Sequence, residues 1–284
     1  MNWKQISQYN QQLRQVVRER WKTNELSIFL IEYEDALENA TKSLLDTEQA
    51  KMVILRINVK SLITMREIIV LCEAGYPDGA FSLSRQLYEQ MIHIRFIMAH
   101  RKDPDFSDYI EDYETNGRYQ IYKYNKEMAK VFNEDESTDL QKEYDDLKKN
   151  SHHTFPDINK HNDYWWAGKK NFGELVKDVK SAYPQEEKIL DKLHLFYTGT
   201  NRAIHANAAG NKQRLGGKTE SHVIDTSQNF TGQGIPLYFS TLCMTVIMLC
   251  VCQIFDMDFN YYRQTINEFA CFYGKESARS IILE

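Results

Sequence analysis

The stretch Asp78–His100, DGAFSLSRQLYEQMIHIRFIMAH, decides the fold. Phe81, Leu83, Leu87, Met91, Ile92, Ile94, Phe96, Ile97 and Met98 leave almost no side of a helix polar. A helix that is apolar nearly all round belongs at the centre of a helical fold. Arg85, Glu89 and His93 recur every four positions and so share one face, with His100 further along the same side. A charged stripe on a central helix must be paired or face a cleft. The residues leave two readings open: a structural Arg85–Glu89 pair on a partly exposed face, or a polar lining to an internal pocket.

Helical periodicity continues on both sides. Residues 2–21 place Trp3, Ile6, Leu13, Val16 and Val17 near one face. Asn24 is the expected cap of a helix running to about Leu45. In 47–73, Met52, Leu55, Val59, Leu62, Ile63, Ile69 and Val70 are spaced by threes and fours. The turn Gly75-Tyr76-Pro77-Asp78-Gly79 ends that helix. Asp103-Pro104 reads as N-cap and first position of a fifth helix, extending to about Phe132. Residues 134–149 read as a charged, exposed helix and 150–170 as loop. Helices follow over Phe172–Ala182 and from Pro184 towards His205. Residues 207–234, rich in Gly, Asn, Gln and Thr, read as a long loop, a kind that is usually functional or mobile. Two helices near 235–255 and 258–273 close the chain. The expectation is one all-α domain, residues 1–284, with about nine or ten helices.

Composition narrows the function classes. The 284 residues are 42% hydrophobic and 26% charged, which excludes wholesale disorder. A chain of this mass buries about three-quarters of its extended surface on folding. The net charge is −5, and residues 101–150 account for it with nine basic and fourteen acidic residues. There is no global electrostatic reason to bind nucleic acid, so any basic groove is local. Leu237 to Phe255 carries no charge over 19 residues, a length that suits a membrane span. Ser240, Thr241, Thr245 and Gln253 interrupt it, and Asp256 and Asp258 follow without cationic flanks, so a buried core helix is expected. Met1-Asn2-Trp3-Lys4-Gln5 shows no secretory pattern. Cys72, Cys243, Cys250, Cys252 and Cys271 are odd in number, lie in apolar helical contexts and read as buried free thiols of a cytoplasmic protein.

A second polar cluster ends the helix that reaches His205: Tyr197-Thr198-Gly199-Thr200-Asn201-Arg202-Ala203-Ile204-His205-Ala206-Asn207. Arg202 and His205 are three apart and can share a face. Histidine moves protons near neutral pH, and arginine binds phosphate in a bidentate way. The plain alternative is a helix C-terminus whose cationic residues suit the helix dipole. His152, His153 and His161 match no strong metal pattern, and neither metal nor cofactor is expected. Trp165-Trp166 beside Lys169-Lys170 reads as a loop anchor more readily than as a base-stacking platform. Gly217-Lys218-Thr219 lacks the first glycine and the strand of a phosphate-binding loop.

Ser82-Leu83-Ser84-Arg85-Gln86-Leu87-Tyr88-Glu89, the Lys102-Asp103-Pro104 turn and the Tyr197–His205 element together resemble a bacterial helical family catalogued as domain of unknown function 5677, over roughly residues 30–255. The resemblance implies an all-helical fold and a shared site carried here by Arg85, Glu89 and His205. A more distant resemblance is to the HEPN helical bundles, many of them metal-independent ribonucleases in toxin and antiphage systems. Their motif is an Arg, a polar residue, and a His four to six residues after the Arg. Here only Ala203 and Ile204 separate Arg202 from His205. The resemblance implies an effector acting on nucleotide or RNA, with His205, Arg202 and Glu89 catalytic and Arg85, His93, Tyr197, Asn201 and Asn207 binding the ligand. The other expectation is a non-catalytic module that binds a small anion, a partner protein or a second copy of itself, with no membrane involved in either case.

Overall fold

A computed structural model describes residues 3–45, 48–132, 138–156, 162–204 and 232–282, with side chains for 8, 11–45, 48–132, 141–156, 162–200 and 232–275. The described residues form ten α-helices and no strand: α1 (Trp3–Trp21), α2 (Thr23–Thr41), α3 (Gln49–Glu73), α4 (Pro77–His100), α5 (Phe106–Val131), α6 (Thr138–Lys149), α7 (Phe172–Ala182), α8 (Glu187–Ile204), α9 (Gly234–Ile254) and α10 (Phe259–Ile282). The protein is all-α, as its periodicity requires. It divides into two compact units. The first takes Met1–Leu45, Ile54–Met91 and Glu187–Glu284, and the second takes Asp46–Val53 and Ile92–Glu186. The long helices α3 and α4 contribute residues to both.

In the first unit, α2 buries Leu26, Phe29, Leu30, Tyr33 and Leu37, a stripe at helical spacing. The expected cap at Asn24 is displaced. Lys22 takes a left-handed conformation, φ 51°, and α2 starts at Thr23, whose hydroxyl donates to Glu73 at 2.7 Å. Arg18 reaches the other oxygen of Glu73 at 2.9 Å, which ties α1 to the end of α3. The helix also stops at Thr41 rather than near Leu45, while α10 runs nine residues past the expected Tyr273. Helix α9 is long and apolar enough to cross a membrane, yet 78% of its most apolar window is buried within the protein. Its hydroxyls find partners there: Ser240 meets Ser84 at 2.8 Å, and Thr245 donates to the Thr241 carbonyl at 2.9 Å. Four cysteines are buried, but Cys271 is exposed. Ile266, Ala270 and Tyr273 form the buried stripe of α10, and position 271 lies one residue round from it.

In the second unit, α5 buries Ile110, Asp112, Thr115, Tyr119 and Tyr122. Tyr119, Tyr122 and Leu147 of α6 form a small core with Tyr144 and Phe155 against it. The expected Asp103-Pro104 start is corrected. The N-cap of α5 is Asp105, with no side-chain cap bond, and the Asp103 carboxylate meets His100 Nδ1 at 2.6 Å instead. The chain before α7 is no open loop throughout. Trp165–Ala167 form one 3-10 turn with both tryptophans buried, and Trp165 Nε1 donates to Asn116 at 2.9 Å. These rings anchor the segment, so they offer no stacking platform. Helix α7 opens on a reciprocal cap: Asn171 Oδ1 accepts from the Glu174 N–H at 3.0 Å, and Glu174 accepts from the Lys170 N–H at 2.9 Å.

Candidate functional site

The polar stripe of α4 meets α8 in the first unit. Arg85 Nε donates to Glu89 Oε1 at 2.9 Å, one helical turn along. Arg85 Nη2 donates to the Tyr197 hydroxyl at 2.9 Å, and that hydroxyl donates to Glu89 Oε1 at 3.2 Å. The guanidinium carbon also lies 4.7 Å from the centroid of the Tyr197 ring. Three side chains from two helices thus close a triangle. It is neither core nor open surface, since Arg85 and Glu89 keep 30% and 29% exposure.

An aromatic stack carries this triangle. Tyr88 packs on Tyr197 at 4.9 Å between centroids, and His194 stacks on Tyr197 at 5.7 Å. The Tyr88 hydroxyl and His194 Nδ1 are 3.2 Å apart. Burial, with Glu89 adding to it, pushes the Tyr197 phenol up to about 12, so it stays a proton donor at neutral pH. Burial raises Tyr88 as well. The arrangement holds a guanidinium fork in one orientation, partly open to solvent. Such a fork recognises planar or tetrahedral oxyanions through paired hydrogen bonds.

The family model of a family of unknown function, DUF5677, matches residues 51–222. The chain belongs to the DUF5677 family. No curated protein and no solved structure matches it. The DUF5677 span is narrower than the expected 30–255. It contains every residue of the Arg85 triangle and its aromatic support, and it leaves α1, α2, α9 and α10 outside.

Of the residues singled out in the sequence, Arg85, Glu89 and Tyr197 come together. Asn201 and Arg202 lie in the last turn of α8, and their side chains are outside the described residues, as are His205 and Asn207 altogether. His93 falls in the second unit, where Tyr113, Tyr164 and Trp166 surround its ring at 6.0, 6.1 and 5.5 Å. The residue retains some exposure, but Nε2 is buried and has no hydrogen-bond partner among the described residues. Burial pushes this imidazole down to about 4. His93 is therefore a neutral ring in an aromatic setting. Tyr88 enters the sequence analysis only within the Ser82–Glu89 stretch and is given no role there, and His194 does not enter it. Their signal was positional: Tyr88 is three residues after Arg85, and His194 is three before Tyr197. Among the described residues no group of His, Cys, Asp and Glu could hold a metal ion.

Proposed function

We propose that this DUF5677 protein is an effector directed at nucleotide or RNA, and that the phosphate of its ligand meets the Arg85–Glu89–Tyr197 triangle. One observation carries this reading: Arg85 is held by partners on two helices while 30% of its side chain stays exposed. A purely structural pair has no need of that second fixing from α8. The fork is oriented before a ligand arrives, which lowers the entropy lost on binding.

The chemistry proposed for RNA uses Arg202 and His205 of the Tyr197–His205 sequence element. Arg202 holds the scissile phosphate and His205 carries the proton. The ribose 2′ oxygen attacks phosphorus as its proton leaves to the base. The bond to the 5′ oxygen breaks, and that oxygen is protonated in turn. The resemblance to HEPN bundles and the all-helical fold support this reading, with a cytoplasmic toxin or antiphage setting, no metal and no membrane. A second reading is favoured by Glu89, which neutralises Arg85, and by the net charge of −5. On it the same triangle belongs to a non-catalytic module for a small anion, a partner protein or a second copy.

Total RNA incubated with the wild type, His205→Ala and Arg202→Ala, with and without chelator, separates the two. The effector reading expects cleavage that resists chelator and falls about 10²–10⁴-fold in His205→Ala. RNA left intact by the folded wild type rejects cleavage. Binding of a nucleotide lost in Arg85→Ala would then assign the triangle to the module.

A further inference from the structure

The second unit contains a cleft of about 830 Å³ lined by residues that include His153, Phe155, Pro156, Trp165, Lys169 and Lys170. That volume suits a small-molecule site. No carboxylate is among its described lining residues. It contains no member of the Arg85 triangle.

His153 is built into this cleft. Asp112, fully buried on α5, accepts from the backbone N–H of His152 at 2.9 Å and of His153 at 2.7 Å. The same carboxylate lies 2.7 Å from His153 Nδ1. The ring also stacks on Tyr109 at 4.8 Å and 24°. A Cβ at Gly168 would stand 3.3 Å from His153 Cδ2, so a larger residue there would press on the ring. A buried carboxylate on Nδ1 fixes the tautomer of an imidazole and leaves the opposite nitrogen for a ligand. Nε2 has no hydrogen-bond partner among the described residues.

The cations beside it differ. Lys169 Nζ is paired with Asp178 at 2.5 Å. Lys170 is exposed, and its backbone is fixed by the Glu174 cap. Phe155 and Pro156 supply an apolar wall. We propose that this cleft binds the phosphate of a small phosphorylated molecule that carries a planar ring. His153 Nε2 and Lys170 Nζ contact the phosphate oxygens, and the ring lies against Phe155 and Pro156.

Long-range proton–nitrogen spectra of the imidazoles test this on the full chain, titrated with inorganic phosphate and with AMP. The His153 Nε2 signal should move with both probes, and AMP should saturate it at about tenfold lower concentration. Lys170→Ala should weaken both by about tenfold, the worth of one charge-assisted hydrogen bond. Lys170 is exposed, so this variant folds even where a change at His153 does not. Because AMP also probes the Arg85 triangle, Arg85→Ala is the control, and the His153 shift must persist in it. A His153 signal unmoved by millimolar phosphate and AMP overturns the proposal. So do Lys170→Ala binding like wild type, AMP binding no tighter than phosphate, or a His153 shift lost in Arg85→Ala.

Discussion

Arg85 and Tyr197 stand 112 positions apart in the chain, yet Arg85 donates to the Tyr197 hydroxyl at 2.9 Å and its guanidinium lies 4.7 Å from the ring centroid. The ring and the hydroxyl therefore make separable contributions. Tyr197→Phe keeps the stack on Tyr88 and His194 and removes only the hydroxyl. It should cost about 1 kcal/mol, or about 2–4 °C in Tm. Tyr197→Ala also loses the stack and should cost more than twice as much. Equal melting temperatures for the two variants would show that the ring contributes nothing.

Two Arg–Glu pairs whose arginines lie on α4 predict different costs for the same mutation. Arg95 keeps 4% exposure, lies 4.3 Å from the Tyr183 ring centroid and meets both oxygens of Glu186 at 2.5 Å. Glu186→Ala takes the carboxylate partner from a buried guanidinium and should cost about 3–5 kcal/mol. Glu89→Ala, from a pair about 30% exposed on each side, should cost at most about 1 kcal/mol. Denaturant titrations of both variants decide the point. A loss above 3 kcal/mol in Glu89→Ala would make the triangle a structural clamp.

The contrast marks where the sequence was readable. Spacing alone placed Arg85 and Glu89 on one face, because a helix fixes what lies one turn away. It extended the same face to His93, but burial depends on what packs against each turn, and at His93 that is Tyr113, Tyr164 and Trp166. Arg95 carries no local signal of its pairing, since its partner Glu186 is 91 positions away. Helix interiors were legible throughout. The start of α7 at Phe172 was legible too, but two other starts were not: Thr23 is engaged by Glu73, 50 positions away, and Asp103 by His100, one turn back on α4. Tyr197 was found as part of the Tyr197–His205 element, whereas its hydrogen bonds to α4 are long-range and leave no local pattern.

His93 gives stability a pH dependence of known sign. Its folded pKa is near 4, against 6.5 for the unfolded chain. Above 6.5 neither state binds the proton and His93 contributes no slope. Between 6.5 and 4 the unfolded chain binds more protons, so stability falls as pH falls, and the loss levels off below 4. It should total about 3 kcal/mol. Urea unfolding from pH 7 to 4.5, compared with His93→Gln, isolates the term. Parallel curves for the two proteins would show that the ring takes up its proton in the folded state.

The last prediction sets two glycines against each other. Gly168 has φ +64° and a Cβ there would press on His153, while Gly117 lies inside α5 with nothing within 4 Å of an added Cβ. Gly117→Ala replaces a poor helix former by the best one and should stabilise by about 0.5–1 kcal/mol. Gly168→Ala must pay for left-handed backbone, about 1–2 kcal/mol, before any contact is counted. The 3.3 Å approach to His153 Cδ2 then displaces the ring or the turn. The same substitution should therefore change stability in opposite directions at the two sites. Only Gly168→Ala should move the His153 imidazole signals. Gly168→Ala that is as stable as wild type and leaves those signals in place would mean that the turn relaxes, and that His153 is not held by the close approach of this glycine.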